Sequence, residues 1–257
     1  MSGDPIPKLA VLIDADNARH ATISLLLAEV AKYGTAHVKR AYGDWTSSNM
    51  NGWKNELLIQ SIQPIQQFAY TTGKNSTDSA MIIDAMDLLY TNRFDGFCIV
   101  SSDSDYTRLA ARIRESGMTV YGFGEHKTPK PFVSACDKFI YNENLVNLEE
   151  LVPHADNGVA HKHNPPVQKP LDSEHLKNQL RTTVETASDD DGWARLCTVG
   201  QLLTTQYPDF DPRTYRYSKL SDLIIASSLF EVARRPHRQG LPSEFWVRDK
   251  RRREKKS

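Results

Sequence analysis

The chain has 257 residues, 39% hydrophobic and 25% charged, with a formal net charge of zero, which leaves room for one large domain or two modest ones in a globular protein. No apolar run approaches the ~20 residues of a membrane helix, and the opening MSGDPIPKLAVLIDADN has neither the basic start nor the long apolar core of a secretion signal. Three widely spaced cysteines, Cys98, Cys136 and Cys197, form no zinc-ligand pattern and suit a reducing compartment, so the expectation is a cytoplasmic protein without membrane contact.

Residues 8–13 (KLAVLI) are a short apolar run that ends in acids, as a buried strand would. Residues 18–33 have helical spacing, with Gly34 as a stop. HVKRAYGDW reads as a strand, WKNELLIQSI as a helix and PIQQFAY as a strand. Residues 77–92 predict a strong helix with Thr77 as its N-cap. FDGFCIVSS predicts a buried strand, DYTRLAARIRESG a helix, MTVYGFG a strand, and FVSACDKFIYNENL a short helix and a last strand. Strands and helices alternate throughout, which argues for an α/β sandwich on a mostly parallel sheet. Such sheets form their sites beyond the carboxyl ends of the strands.

Residues 153–172 hold four prolines and three histidines (His154, His161, His163) with little apolar content, the composition of a linker. From residue 173 come three helical stretches, then LFEVARR and SEFWVRD as two strands joined by a basic turn around His237. Three helices followed by a hairpin is the order of a winged helix-turn-helix. Charge divides along the same line. Residues 1–150 carry 14 Lys+Arg against 18 Asp+Glu, and residues 213–257 carry 13 against 5, so the C-terminal region suits an anionic polymer. The tail RDKRRREKKS is expected to be disordered.

Acids fall where a site is expected. One strand ends in Asp14 and Asp16, another in Asp103 and Asp105, and the helix between them opens at Asp78. Carboxylates brought together repel unless one is protonated or a cation sits among them. Mg²⁺ and Mn²⁺ prefer such oxygen ligands and leave positions open for phosphate. DADN and SSDSD can each also be cap and turn chemistry alone. Asp84 and Asp87 lie further along the helix and are expected to face elsewhere.

LIDADN, GKNSTDSAMIIDAM, VSSDSDYTRLAARIRESG and VYGFG, in that order, resemble the NYN domain of the PIN-like nuclease superfamily, its LabA-like group above all. The resemblance spans about residues 7–147. It implies a PIN-like, Rossmann-like three-layer α/β sandwich and a metal-dependent ribonuclease site. It assigns Asp14, Asp78, Asp103 and Asp105 to a Mg²⁺ or Mn²⁺ centre and matches Asn17 to the polar residue after the first acid; Asn17 and Ser102 are expected to orient ligands or substrate, and Lys74 to contact a phosphate. The family often has Lys-Gly-x-Asp before the middle acid; this chain has Lys74-Asn75-Ser76-Thr77-Asp78. The stretch from 173 to 248, and FDPRTYRYSKLSDLI most of all, resembles the OST-HTH/LOTUS domain, which implies a small winged helix that binds RNA or a protein partner. Arg213, Arg216 and Lys219 are its candidate phosphate contacts; Tyr215 and Tyr217 can stack on bases or pack the core.

The expected organisation is a nuclease domain at 1–150, a linker at 151–172, a winged helix at 173–248 and a basic tail at 249–257. The expected activity is metal-dependent endoribonucleolytic cleavage. A non-catalytic RNA-binding adaptor is the alternative, and a phosphatase for small phosphoesters a weaker third.

Overall fold

The computed structural model describes residues 5–68, 76–145, 173–235 and 244–254, which fall into two compact units on either side of residue 165. The expected linker with its three histidines, Lys74, His237 and residues 255–257 of the tail lie outside the described residues. Among the described residues no helix is long and apolar enough to cross a membrane.

In the first unit, β1 (Lys8–Asp14) is buried along all but its first residue. Successive side chains of a strand point to opposite faces. Leu9, Val11 and Ile13 therefore enter one core, with Ile23, Leu26 and Val30 of α1 (Ile23–Val30) and Trp53 of α2 (Trp53–Ile59). Ala10 and Leu12 enter the other. Their partners are Met81, Ala85 and Leu89 of α3 (Ser76–Tyr90), Ile113 of α4 (Thr107–Glu115) and Phe132 of α5 (Lys130–Ala135). A strand covered on both faces has to be apolar throughout, which is why KLAVLI runs without alternation.

The remaining strands are β2 (Thr35–Gly43), β3 (Gln63–Gln66), β4 (Gly96–Val100), β5 (Thr119–Gly124) and β6 (Lys138–Tyr141). Their order in the sheet is β3-β2-β1-β4-β5-β6, and every pairing is parallel. The chain winds outward from β1 to β3, returns through α3, and winds the other way from β4 to β6. Right-handed crossovers then place α1 and α2 on one face and α4 and α5 on the other. The winding reverses between β1 and β4, the place where sheets of this kind open a crevice.

Three local expectations are corrected. The helix expected over 18–33 is a 3-10 turn at His20–Thr22 followed by α1, which stops at Val30. Gly34 is not its left-handed cap: a Cβ there would lie 2.4 Å from the Pro7 carbonyl oxygen and 3.0 Å from Leu9 Cγ, so glycine is required by close approach to the chain entering β1. Thr77 is not an N-cap either, since α3 already begins at Ser76 and Thr77 is buried.

The second unit contains α6 (Glu174–Ala187), β7 (Ala194–Arg195), α7 (Leu196–Gln206), α8 (Leu220–Ser227), β8 (Phe230–Arg235) and β9 (Glu244–Asp249). The three strands form an antiparallel sheet in the order β7-β9-β8, the layout of a winged helix. Ser173 caps α6 by accepting from the Leu176 amide at 3.3 Å. Leu176, Leu180, Val199, Leu203, Leu223, Ile224 and Val247 make the core. Within the stretch expected to be a basic tail, Asp249 closes β9 and residues 251–254 form a helical turn. Asp249 accepts from the amide and guanidinium of Arg251 at 3.0 and 2.7 Å, which caps this turn, α9 (Arg251–Glu254).

Candidate active site

β1 carries Asp14 to the sheet edge on the face it shares with Ala10 and Leu12, and there the carboxyl group is fully buried. Its Oδ2 accepts from Asn17 Nδ2 at 2.7 Å and from Ser101 Oγ at 2.8 Å. Burial pushes the Asp14 carboxyl up to about 6; those two hydrogen bonds pull against the shift, and the charges of Asp78 and Asp16 add to it.

The end of β4 supplies the next links. Leu12 stands level with Ile99 and Ile13 with Val100, so Ser101 follows in phase with Asp14. Ser101 Oγ donates to Asp14 and accepts the Asp103 amide at 3.0 Å. Asp103 in turn accepts the Asp105 amide at 2.9 Å, capping a 3-10 turn at Ser104–Tyr106. That turn buries Tyr106, whose hydroxyl donates to Asp78 Oδ1 at 2.8 Å. The Tyr106 hydroxyl is held protonated, first by burial and then by the charges of Asp14 and Asp78. Burial raises the Asp78 carboxyl; the Tyr106 hydrogen bond opposes this, and Asp103, Asp105 and Asp16 raise it further.

One oxygen each from Asp78, Asp103 and Asp105 lies within 4.8 Å of the others. Three like charges at this spacing, with hard oxygen donors, fit a divalent cation such as Mg²⁺ or Mn²⁺. Of the four acids expected to converge, three make up this group. Asp14 stands beside the group, coupled to it by charge at Asp78 and by Ser101 at Asp103.

The other candidates divide. Asn17 contacts Asp14. Ser102 points away: its Oγ accepts the Glu125 amide at 2.9 Å, joining the ends of β4 and β5. Ser101 and Tyr106 were missed by the sequence reading. The period-two alternation held a signal for Ser101, since Phe97 and Ile99 share the core of Ala10 and Leu12. Asp84 binds Tyr42 Oη at 2.6 Å and Arg40 at 2.8 Å, fastening α3 to β2, and Asp87 is exposed. In the second unit, Arg213 is paired with Asp211 at 2.6 Å, while Arg216 and Lys219 are exposed. Tyr215 is buried, and Tyr217 packs on the same core.

A parallel sheet in this order, with carboxylates gathered where the winding reverses, defines a Rossmann-like domain of the PIN-like type. The chain belongs to the NYN domain family, whose profile matches residues 8–149. Residues 171–242 match the OST-HTH/LOTUS domain. Together the two families associate the chain with a nuclease-type, RNA-binding role. No curated protein matches the chain. Among solved structures, a protein of unknown function from Vibrio parahaemolyticus is 17% identical, with a TM-score of 0.46, over 54% of this chain and 94% of its own. An uncharacterized protein from Nitrosomonas europaea is 31% identical, with a TM-score of 0.29, over 39% of this chain and 92% of its own.

Proposed function

We propose that the first unit is a metal-dependent endoribonuclease and that the second unit brings RNA to it. The observation that carries this reading is the approach of Asp78, Asp103 and Asp105 to within 4.8 Å at the reversal of winding. When bound, Mg²⁺ or Mn²⁺ supplies charge neutralisation at phosphate oxygens and an acidified water. The chain's own residues do the positioning. Ser101 fixes Asp14 relative to the Asp103 backbone, the 3-10 turn sets Asp105 against Asp103, and the Tyr106 hydroxyl orients Asp78. Asn17 holds Asp14, and Lys74, just ahead of α3, is assigned to a phosphate. A loose acid cluster would spend much of its time spread apart by repulsion; a braced one keeps its geometry ready for the transition state.

The test is cleavage of an unstructured RNA with Mn²⁺ and with chelator, comparing wild type with Asp103→Asn. Losing one ligand should cost about a hundredfold or more in rate, with an unchanged circular dichroism spectrum. A folded Asp103→Asn chain that cuts at the wild-type rate would sink the mechanism. A metal-binding adaptor without catalysis would instead show Mn²⁺-dependent melting and no cleavage.

A further inference from the structure

The outer face of the second unit's sheet carries a feature that the family assignment does not explain. In an antiparallel sheet, alternate residues share a face. Val247 and Ala194 turn into the core, so Trp246, Arg248, Arg195 and Arg235 lie on the opposite side, joined by Trp193 just ahead of β7. The Arg195 guanidinium stands 5.3 Å from the Trp246 ring centre, and Arg235 stands 4.5 Å from the same ring. Arg235 is also 4.7 Å from the Trp193 ring, as is Arg248. Three cations and two indoles thus interleave across all three strands.

Stacking occupies the faces of a guanidinium and leaves its in-plane N–H groups free for an anion. Glu231 already takes those of Arg248, at 2.5 Å, and Glu244 lies 3.7 Å from Arg195. Among the described residues no ion pair or hydrogen bond engages the Arg235 guanidinium, although it is half-buried between two rings. Held in this way, Arg235 loses little side-chain freedom when it meets a phosphate.

We propose that this face is a binding site for single-stranded RNA, with Arg235 donating to a backbone phosphate and Trp193 and Trp246 fixing its orientation. It rests on the RNA reading above and places the contact on the sheet rather than on Arg213, Arg216 and Lys219. A flexible strand fits because its phosphates can reach cations set between large rings.

The experiment uses the full chain in EDTA, where cleavage is suppressed, and measures anisotropy of a labelled oligouridylate across a salt series. Arg235→Gln should weaken binding about tenfold and lower the slope of log affinity against log salt by about one, with the thermal midpoint preserved. Arg235→Lys, which keeps the charge but not the stacked plane, should retain the slope and lose only part of the affinity. A folded Arg235→Gln chain with the wild-type affinity and slope overturns the site. So does a wild type that cleaves RNA with Mn²⁺ yet binds no oligouridylate, the outcome that would redirect this face to a protein partner. Binding that depends on Arg235 in a chain without cleavage supports this site and overturns only the nuclease reading.

Discussion

The two units handle charge in opposite ways. Around Asp14 and Asp78 the groups that set the protonation state are hydroxyls, an amide and further carboxylates. On the outer sheet of the second unit, acids are paired with arginines, and the arginines are stacked on tryptophans. A site proposed to receive a cation gains when its acids are held by neutral donors, as Asp14 and Asp78 are. A surface that must hold a polyanion gains from cations already braced, because each ordered side chain would otherwise lose rotamer freedom on binding. The comparison also separates two kinds of polar support. Neutral donors position acids without quenching them, whereas ion pairs position and quench together.

The sharpest way to break this contrast after Asp103→Asn is to remove a neutral support. Ser101→Ala deletes the hydroxyl that links Asp14 to the Asp103 amide. It leaves a buried carboxylate short of a donor, so destabilisation of about 1–3 kcal/mol is expected. The cleavage rate should fall about tenfold, in the range typical when groups supporting metal ligands are lost. Ser102→Ala, one residue on and pointing the other way, should lose only its bond from Glu125 and leave the rate near wild type. Equal losses in the two variants would remove Ser101 from the site. Melting curves and single-turnover cleavage decide between them.

These two serines also show what the sequence could and could not disclose. The sheet was legible because buried parallel strands are apolar on both faces, and KLAVLI and FCIV have that signature. The acids were legible because they follow those strands directly. Alternation along β4 puts Ser101 on the face of Phe97 and Ile99, but its meeting with Asp14 depends on the register between β1 and β4, a long-range fact. The support from Tyr106 depends on a 3-10 turn bringing a ring back beneath α3. Gly34 failed for a related reason: the carbonyl it must clear belongs to Pro7, remote in sequence. In the second unit, the tyrosines of RTYRYSKL suit either stacking or core by sequence, and packing decides for the core.

The charge state of Asp14 gives a prediction in pH. Its folded-state value is about 6, above the ordinary value of about 3.9 in an unfolded chain. Between these values the folded chain holds more protons than the unfolded one, so stability must fall as pH rises through that window. The group's full contribution is present below about pH 4 and gone above about pH 6, a change of about 2–3 kcal/mol at 1.36 kcal/mol per unit. Asp14→Asn removes the titration but also changes the donors Asn17 and Ser101 must meet, so the slope, not the offset, is the readout. In chelator, the stability of wild type relative to Asp14→Asn should decline between pH 4 and pH 7. A difference that stays flat in denaturant titrations would show that Asp14 ionises normally.

The smallest effect is expected at Asp87, and it sharpens the comparison by showing that proximity in sequence to the acid site is not enough. Asp87 lies on α3 nine residues after Asp78. At about 3.6 residues per turn that is two and a half turns, which puts it on the opposite side of the helix. It is exposed, whereas Asp84 on the same helix is tied to Tyr42 and Arg40. Asp87 also sits in the last turn of α3, where a negative charge opposes the helix dipole by a few tenths of a kcal/mol. Asp87→Asn should therefore leave the fold as stable or slightly more so, since exposed substitutions stay within about 0.5 kcal/mol, and hold cleavage within about a factor of two or three. The comparison is with Asp84→Asn, which removes the charge that Arg40 and Tyr42 meet between α3 and β2 and should lower the melting temperature while leaving the acids in place. If Asp87→Asn abolished cleavage at unchanged stability, the exposed side of α3 would have to meet the RNA, and the confinement of the chemistry to the reversal point between β1 and β4 would be wrong.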